Sequence, residues 1–205
     1  VLKELIADYR GIWREPVCHL SGVFILLLLL LHLADGALGE WLEFNGELIG
    51  RGQWWRLYTG HFVHFGLYHT AMNCAGFIGV VFTLFRDVPL RILLLAILWI
   101  PLFAGLGIYW VDLEIYRGFS GSNYGLLALG LILGLHHNYR LYALAILVVT
   151  AKIASEHVPD YDVNYLRDKI GVAVAVEAHL SGYVAGVCLG VGLLILRRVR
   201  RKAHP

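Results

Sequence analysis

The sequence predicts an all-α polytopic membrane protein with six transmembrane helices, and three observations carry that prediction. Of the 205 residues, 59% are hydrophobic and only 16% are charged, against about 25% charged in an ordinary soluble domain. Apolar stretches fall at 17–38, 57–85, 89–110, 120–136, 141–156 and 170–196, each near the roughly 17–25 residues that cross a bilayer as a helix. The basic residues also sort to one side of those stretches. With a cytoplasmic N-terminus, the inside segments hold Lys3, Arg10, Arg14, Arg86, Arg91, Arg140, Arg197, Arg198, Arg200, Arg201 and Lys202, which is 11 of 17 basic residues. Of the 15 acids, only Glu4, Asp8, Glu15 and Asp87 fall there. The positive-inside rule then puts both termini in the cytoplasm and turns connections 39–56, 111–119 and 157–169 outward.

Taken in order, residues 1–16 form a short polar lead-in. The run Val23–His32 follows, and no small-residue cleavage pattern closes it, so it reads as a first transmembrane helix rather than a signal peptide. The connection 39–56 sets Glu40, Glu43, Glu47, Arg51 and Arg56 beside Trp41, Trp54 and Trp55, the composition of a loop lying in the membrane interface, with short helices. Lys152 in the fifth span either snorkels or pairs with Glu156 four residues on. The basic segment 197–205 is an anchor beside anionic lipid. Nothing divides the chain, so 1–205 is expected to be a single domain. The net charge of +2 and the absence of a basic stretch interleaved with aromatics exclude a nucleic-acid surface. Cys18, Cys74 and Cys188 lie in apolar segments without metal-ligand spacing and read as buried thiols; neither metal nor cofactor is expected.

Polar side chains inside apolar spans are costly, so they line a watery site or pair with one another. The second span carries His61, His64, His69 and Asn73, the sixth Glu177 and His179, and the fourth opens with Gly118-Phe119-Ser120-Gly121. Depth follows from a rise of about 1.5 Å per residue above each helix's inner boundary. Ser120 before His136, His179 before Arg197 and His69 before Arg86 come out at roughly 24, 27 and 25 Å. The three residues therefore share one level, a little below the outer surface. Gly121 and Gly125 on the fourth helix, and Gly182, Gly186 and Gly190 on the sixth, repeat every four residues, the spacing that lets membrane helices touch backbone to backbone. Pairing those faces sets the His179 imidazole beside the Ser120 hydroxyl, with Tyr124 on the same side to hold the ring.

These residue types support nucleophilic catalysis. A histidine within reach takes the serine proton, and the helix start, with His69 and Asn73, offers donors to a tetrahedral oxyanion. No third acid is evident, because Glu177 lies roughly 200° around the helix from His179. Structural readings stand beside these: Ser120 as a plain N-cap, His179 as a core histidine, His69 and Asn73 as ties between helices. His61 and His64 read as structural. A zinc set of His61, His64, His69 and His179 lacks any companion motif such as HExxH.

Trp55-Arg56, His64-x4-His69-x3-Asn73, Gly118-Phe119-Ser120-Gly121 with Tyr124, and Ala178-His179-x2-Gly182-x3-Gly186 together resemble the rhomboid family of intramembrane serine proteases, from about Trp54 to Gly190. The resemblance implies a six-helix rhomboid-like bundle opening outward, with Ser120 as nucleophile and His179 as base. It further implies oxyanion donors in His69, Asn73 and the Ser120 N–H, Gly118 in the oxyanion loop, and Tyr124 stacked on His179. The fifth helix and loop 157–169 become the expected gate and cap. Substrates would be transmembrane or membrane-anchored proteins, and the location a multi-pass integral one, the bacterial inner membrane. Thr59-Gly60-His61 and Glu177-Ala178-His179-Leu180-Ser181-Gly182 look like rhombosortases, which are expected to remove C-terminal Gly-Gly anchors from exported proteins. Gly60 stands where some bacterial rhomboids carry a further histidine. The competing expectation is a non-catalytic relative that binds client transmembrane segments on the same scaffold.

Overall fold

The computed structural model describes residues 16–159, 161–162 and 167–203. The lead-in before Pro16, the last two residues of the basic tail, and residues 160 and 163–166 of the expected cap lie outside that description. The elements run α1 (Pro16–Leu33), α2 (Asp35–Leu42), β1 (Phe44–Asn45), α3 (Gly46–Gly50), α4 (Arg56–Thr59), α5 (Gly66–Leu84) and α6 (Leu90–Trp110). They continue as β2 (Ile115–Tyr116), α7 (Ser120–Gly134), α8 (Tyr139–Ser155), α9 (Arg167–Ile170) and α10 (Val176–Ala203). The protein is an all-α membrane bundle built on α1, α5, α6, α7, α8 and α10. Four of these are long and apolar enough to cross a membrane: Pro16–Leu33, Gly66–Leu84, Leu90–Trp110 and the Val176–Arg200 part of α10. Helices α7 and α8, of 15 and 17 residues, are shorter.

Two apolar stretches are only partly helix. Of 57–85, the continuous helix begins at Gly66, whose φ of +78° suits glycine, and residues 60–65 are loop. Of 170–196, the helix begins at Val176, after Gly171 at φ +79°. Hydropathy measures only how apolar a segment is. Non-helical backbone survives at such depth where protein, rather than lipid, surrounds it. Pro101 shows the same accounting inside α6: it has no N–H to give the Ile97 carbonyl, and the Tyr58 hydroxyl donates to that oxygen instead at 3.2 Å.

The connection 39–56 does contain short helices, and β1 pairs antiparallel with β2, Phe44 opposite Tyr116. Outer faces of the bundle are apolar and bare, as at Val23 and Leu147, each 65% exposed, which is how a helix presents itself to lipid. Cys188, expected buried, is on such an exposed face, while Cys74 is buried. The centre is α7, with Leu126, Leu129 and Leu133 buried beside a ring cluster of Phe24, Phe62, Phe77 and Phe119.

Candidate active site

Ser120 is the first residue of α7, and the preceding cap residue is Phe119, whose side chain cannot accept a hydrogen bond. The plain N-cap reading of Ser120 therefore does not fit. Its Oγ instead lies 3.1 Å from His179 Nε2, across to the first turn of α10. Glycine brings the two helices this close. A Cβ on Gly182 would collide with the Gly121 carbonyl, one on Gly186 with the Gly125 carbonyl, and one on Gly121 with the Ala178 carbonyl. Backbone lies on backbone over two turns, and the register leaves Ser120 and His179 facing each other where the two helices begin. Tyr124, one turn along α7, rests against the imidazole with ring centres 4.7 Å apart and planes 47° apart, a tilted contact rather than a flat stack.

The loop ahead of Ser120 is held from several sides. Arg117 donates from Nε to Glu43 Oε2 and from Nη1 to Asp35 Oδ1, both at 2.9 Å. The Tyr116 hydroxyl donates to the Gly118 carbonyl, and burial, which pushes that phenol up to about 12, keeps its proton on. Gly118 adopts φ +132° and gives its N–H to the Gly60 carbonyl at 3.0 Å. A side chain there would meet the His69 ring at 2.8 Å, so glycine is required both for the backbone angle and for the approach. Gly60 is equally confined, because a Cβ would meet Phe44 Cβ at 2.7 Å; strand β1 occupies the space a larger residue would need.

His64 has a partner in this loop and His61 one in the first turn of α7. His64 Nε2 accepts the Phe119 N–H at 3.2 Å, which needs the neutral imidazole, and His61 Nδ1 lies 3.3 Å from Ser122 Oγ. With the Gly118 and Phe119 N–H groups engaged and that of Asn123 donating to the Phe119 carbonyl, the backbone donors at the start of α7 without an intrahelical acceptor are those of Ser120, Gly121 and Ser122. Asn73 donates one Nδ2 hydrogen to the His69 carbonyl at 2.9 Å, and Asn123 Nδ2 donates to the Asn73 carbonyl at 3.0 Å. His69, Asn73 and Asn123 border, with Ser120, Tyr124 and His179, a cavity of about 960 Å³. Phe65, Met72, Leu127 and backbone-rich 172–176 complete its walls. That volume falls at the upper end of the range of sites that bury a drug-sized ligand, the bulk of a short peptide segment.

Two expectations about acids change. Glu156 places Oε2 3.0 Å from His179 Nδ1, so an acid does stand behind the histidine. Its other oxygen takes Lys152 Nζ at 2.7 Å, the expected i+4 pair; a carboxylate has room for both partners. Glu177, expected to face away, borders the cavity, because at the second residue of α10 it sits on the rim where the helix begins.

The sequence model for the Rhomboid domain matches residues 51–196, well over half of the chain. The chain belongs to the rhomboid family. No curated protein matches it. Rhomboids are generally intramembrane serine proteases acting on membrane-protein substrates, and this rhomboid is an integral, multi-pass membrane protein. Within the matched segment fall Ser120, His179, His69, Asn73, Gly118 and Tyr124, and the geometry gathers all six around one cavity or its loop. Glu156, Asn123 and the ion pairs of Arg117 with Asp35 and Glu43 carry no weight in the sequence reading. For Glu156 a signal exists: it lies 16 residues after Arg140, roughly 24 Å above the inner boundary and level with Ser120.

Proposed function

We propose that this rhomboid is a serine endopeptidase that cleaves peptide bonds in or near transmembrane segments with Ser120 as nucleophile and His179 as general base. The observation that carries the reading is the 3.1 Å contact between Ser120 Oγ and His179 Nε2 at the edge of a cavity large enough for a peptide. His179 Nε2 takes the hydroxyl proton as Oγ attacks the scissile carbonyl carbon. The oxyanion lies toward the free N–H groups of the first turn of α7 and the side chains of His69 and Asn73. Collapse of the intermediate breaks the C–N bond as His179 returns its proton to the leaving amine. Water then repeats the cycle on the acyl-enzyme and releases Ser120.

Labelling by a fluorophosphonate tests the reading directly. Wild-type protein in membranes is expected to label, and Ser120→Ala and His179→Ala to lose labelling and cleavage of a transmembrane reporter by about 10³-fold or more while keeping their thermal transition. Reporter capture without labelling or cleavage would instead select the non-catalytic client binder.

At the finer level we propose a rhombosortase. Thr59-Gly60-His61 and Glu177–Gly182 support it, and the confinement of Gly60 against Phe44 gives the glycine a physical reason. A reporter ending in a Gly-Gly hydrophobic tail is expected to be cut at least tenfold faster than the same tail carrying Val-Val; equal rates overturn the subgroup. By the distribution of basic residues we place both termini in the cytoplasm, and the rhombosortase reading makes the membrane a bacterial inner membrane; an alkaline phosphatase fusion active at the C-terminus would overturn the orientation.

A further inference from the structure

We propose that Glu156 is a positioning residue of the site: its carboxylate accepts the Nδ1–H of His179 and thereby holds the imidazole with its Nε2 lone pair toward Ser120. The proposal rests on the reading of Ser120 and His179 as nucleophile and base and extends it from a pair to a chain of three.

Glu156 follows the last residue of α8, and its side chain is 1% exposed. A carboxylate needs no such burial to satisfy Lys152, which is 40% exposed and could meet it at the helix surface. The carboxylate instead reaches across to α10, with Oε2 3.0 Å from His179 Nδ1. An ionised carboxylate only accepts, so the ring proton belongs on Nδ1, and Nε2, 3.1 Å from Ser120 Oγ, must then be the acceptor. The opposite tautomer would point an N–H at the hydroxyl and set a lone pair against a carboxylate. When His179 becomes an imidazolium, the same carboxylate supplies the opposing charge. Lys152 Nζ, donating at 2.7 Å to Glu156 Oε1 and at 2.7 Å to Tyr161 Oη, keeps the buried acid ionised and turned. Tyr124 on α7 packs against the imidazole ring, His69 on α5 and Glu177 on α10 border its cavity, and the ring nitrogens themselves face Glu156 and Ser120. Glu156 alone, among the described residues, fixes which nitrogen carries the proton.

The test uses the full chain in proteoliposomes and a fluorophosphonate probe, with the saturating labelling rate separated from the probe's reversible affinity. Glu156→Gln keeps shape and removes charge. It is expected to lower the saturating rate at least tenfold with affinity changed less than twofold, and Glu156→Asp to recover a measurable part of the loss. A purely structural role predicts that rate and thermal transition fall together and that the isosteric glutamine is the milder variant. Ring ¹⁵N spectra of histidine-labelled wild type, assigned by difference against His179→Ala, decide the matter even if a variant fails to fold. Resting His179 protonated on Nδ1 supports the proposal, and protonation on Nε2 overturns it. A wild type that labels while Glu156→Gln labels at the same saturating rate also overturns it. A wild type that does not label at all overturns instead the underlying reading of Ser120.

Discussion

Helices α7 and α8 are neighbours in the chain and opposites in packing. Eleven of the 15 residues of α7 are buried, and where Gly121 meets Gly182 and Gly125 meets Gly186 its contact with α10 is glycine on glycine, with no side chain between the backbones. Among the 17 residues of α8 only Ile153 is buried. Helix α8 holds to the rest by side-chain ties: Thr150 Oγ1 to Tyr183 Oη at 2.5 Å, and Glu156 to His179 at 3.0 Å. The difference teaches how the work is divided. The parts that must stay in register, Ser120 and His179, stand on a contact that cannot slide without backbone collision. Glu156, behind the histidine, stands instead at the end of a helix with a single buried residue.

The comparison breaks most violently at Gly182. A valine there drives its side chain into the Gly121 backbone; overpacking alone costs about 1–3 kcal/mol, and with no flexible neighbour to yield, both folding yield and Ser120 labelling are expected to be lost. Size-exclusion profiles and thermal melts in detergent read the outcome, and a wild-type melt would refute the backbone contact. Arg117→Met comes next. It leaves Glu43 without its largely buried partner and frees the loop before Ser120, at about 3 kcal/mol, seen as a lower melting temperature and slower labelling. Ile153→Ala removes the one buried side chain of α8, at about 2 kcal/mol. Its expected signature is local: faster hydrogen exchange over α8 with α7 unchanged. Leu147→Ala, on the lipid-facing side, is expected to stay within about 0.5 kcal/mol. Exchange in the wild type sharpens the contrast further, since α8 should exchange before α7, and equal protection would deny it a gate's freedom.

Much of the fold was legible because membrane helices announce themselves by length and apolarity, and because small residues four apart mark close crossings. Depth counting along α5, α7 and α10 also brought Ser120, His179 and His69 to one level before any contact was known. The same counting applied to Glu156 gives the same level, yet its i+4 neighbour Lys152 already supplied a sufficient local partner. Local sufficiency hides a second, distant partner. The loops failed for another reason. Residues 60–65 and 171–175 are non-helical yet lie within the apolar stretches 57–85 and 170–196, and hydropathy cannot tell lipid from protein as the apolar surroundings.

By itself the sequence determined the membrane class, the crossing of the fourth and sixth apolar stretches, and which serine and histidine share a depth, because all three depend on composition and on periodicity along single helices. Only the tertiary structure decided what stands behind the histidine, why Gly118 and Gly60 admit no side chain, and that His64 holds the Phe119 N–H. Each of these is a contact between segments distant in sequence, set by how helices rotate and loops close in three dimensions, and no spacing within one segment encodes it.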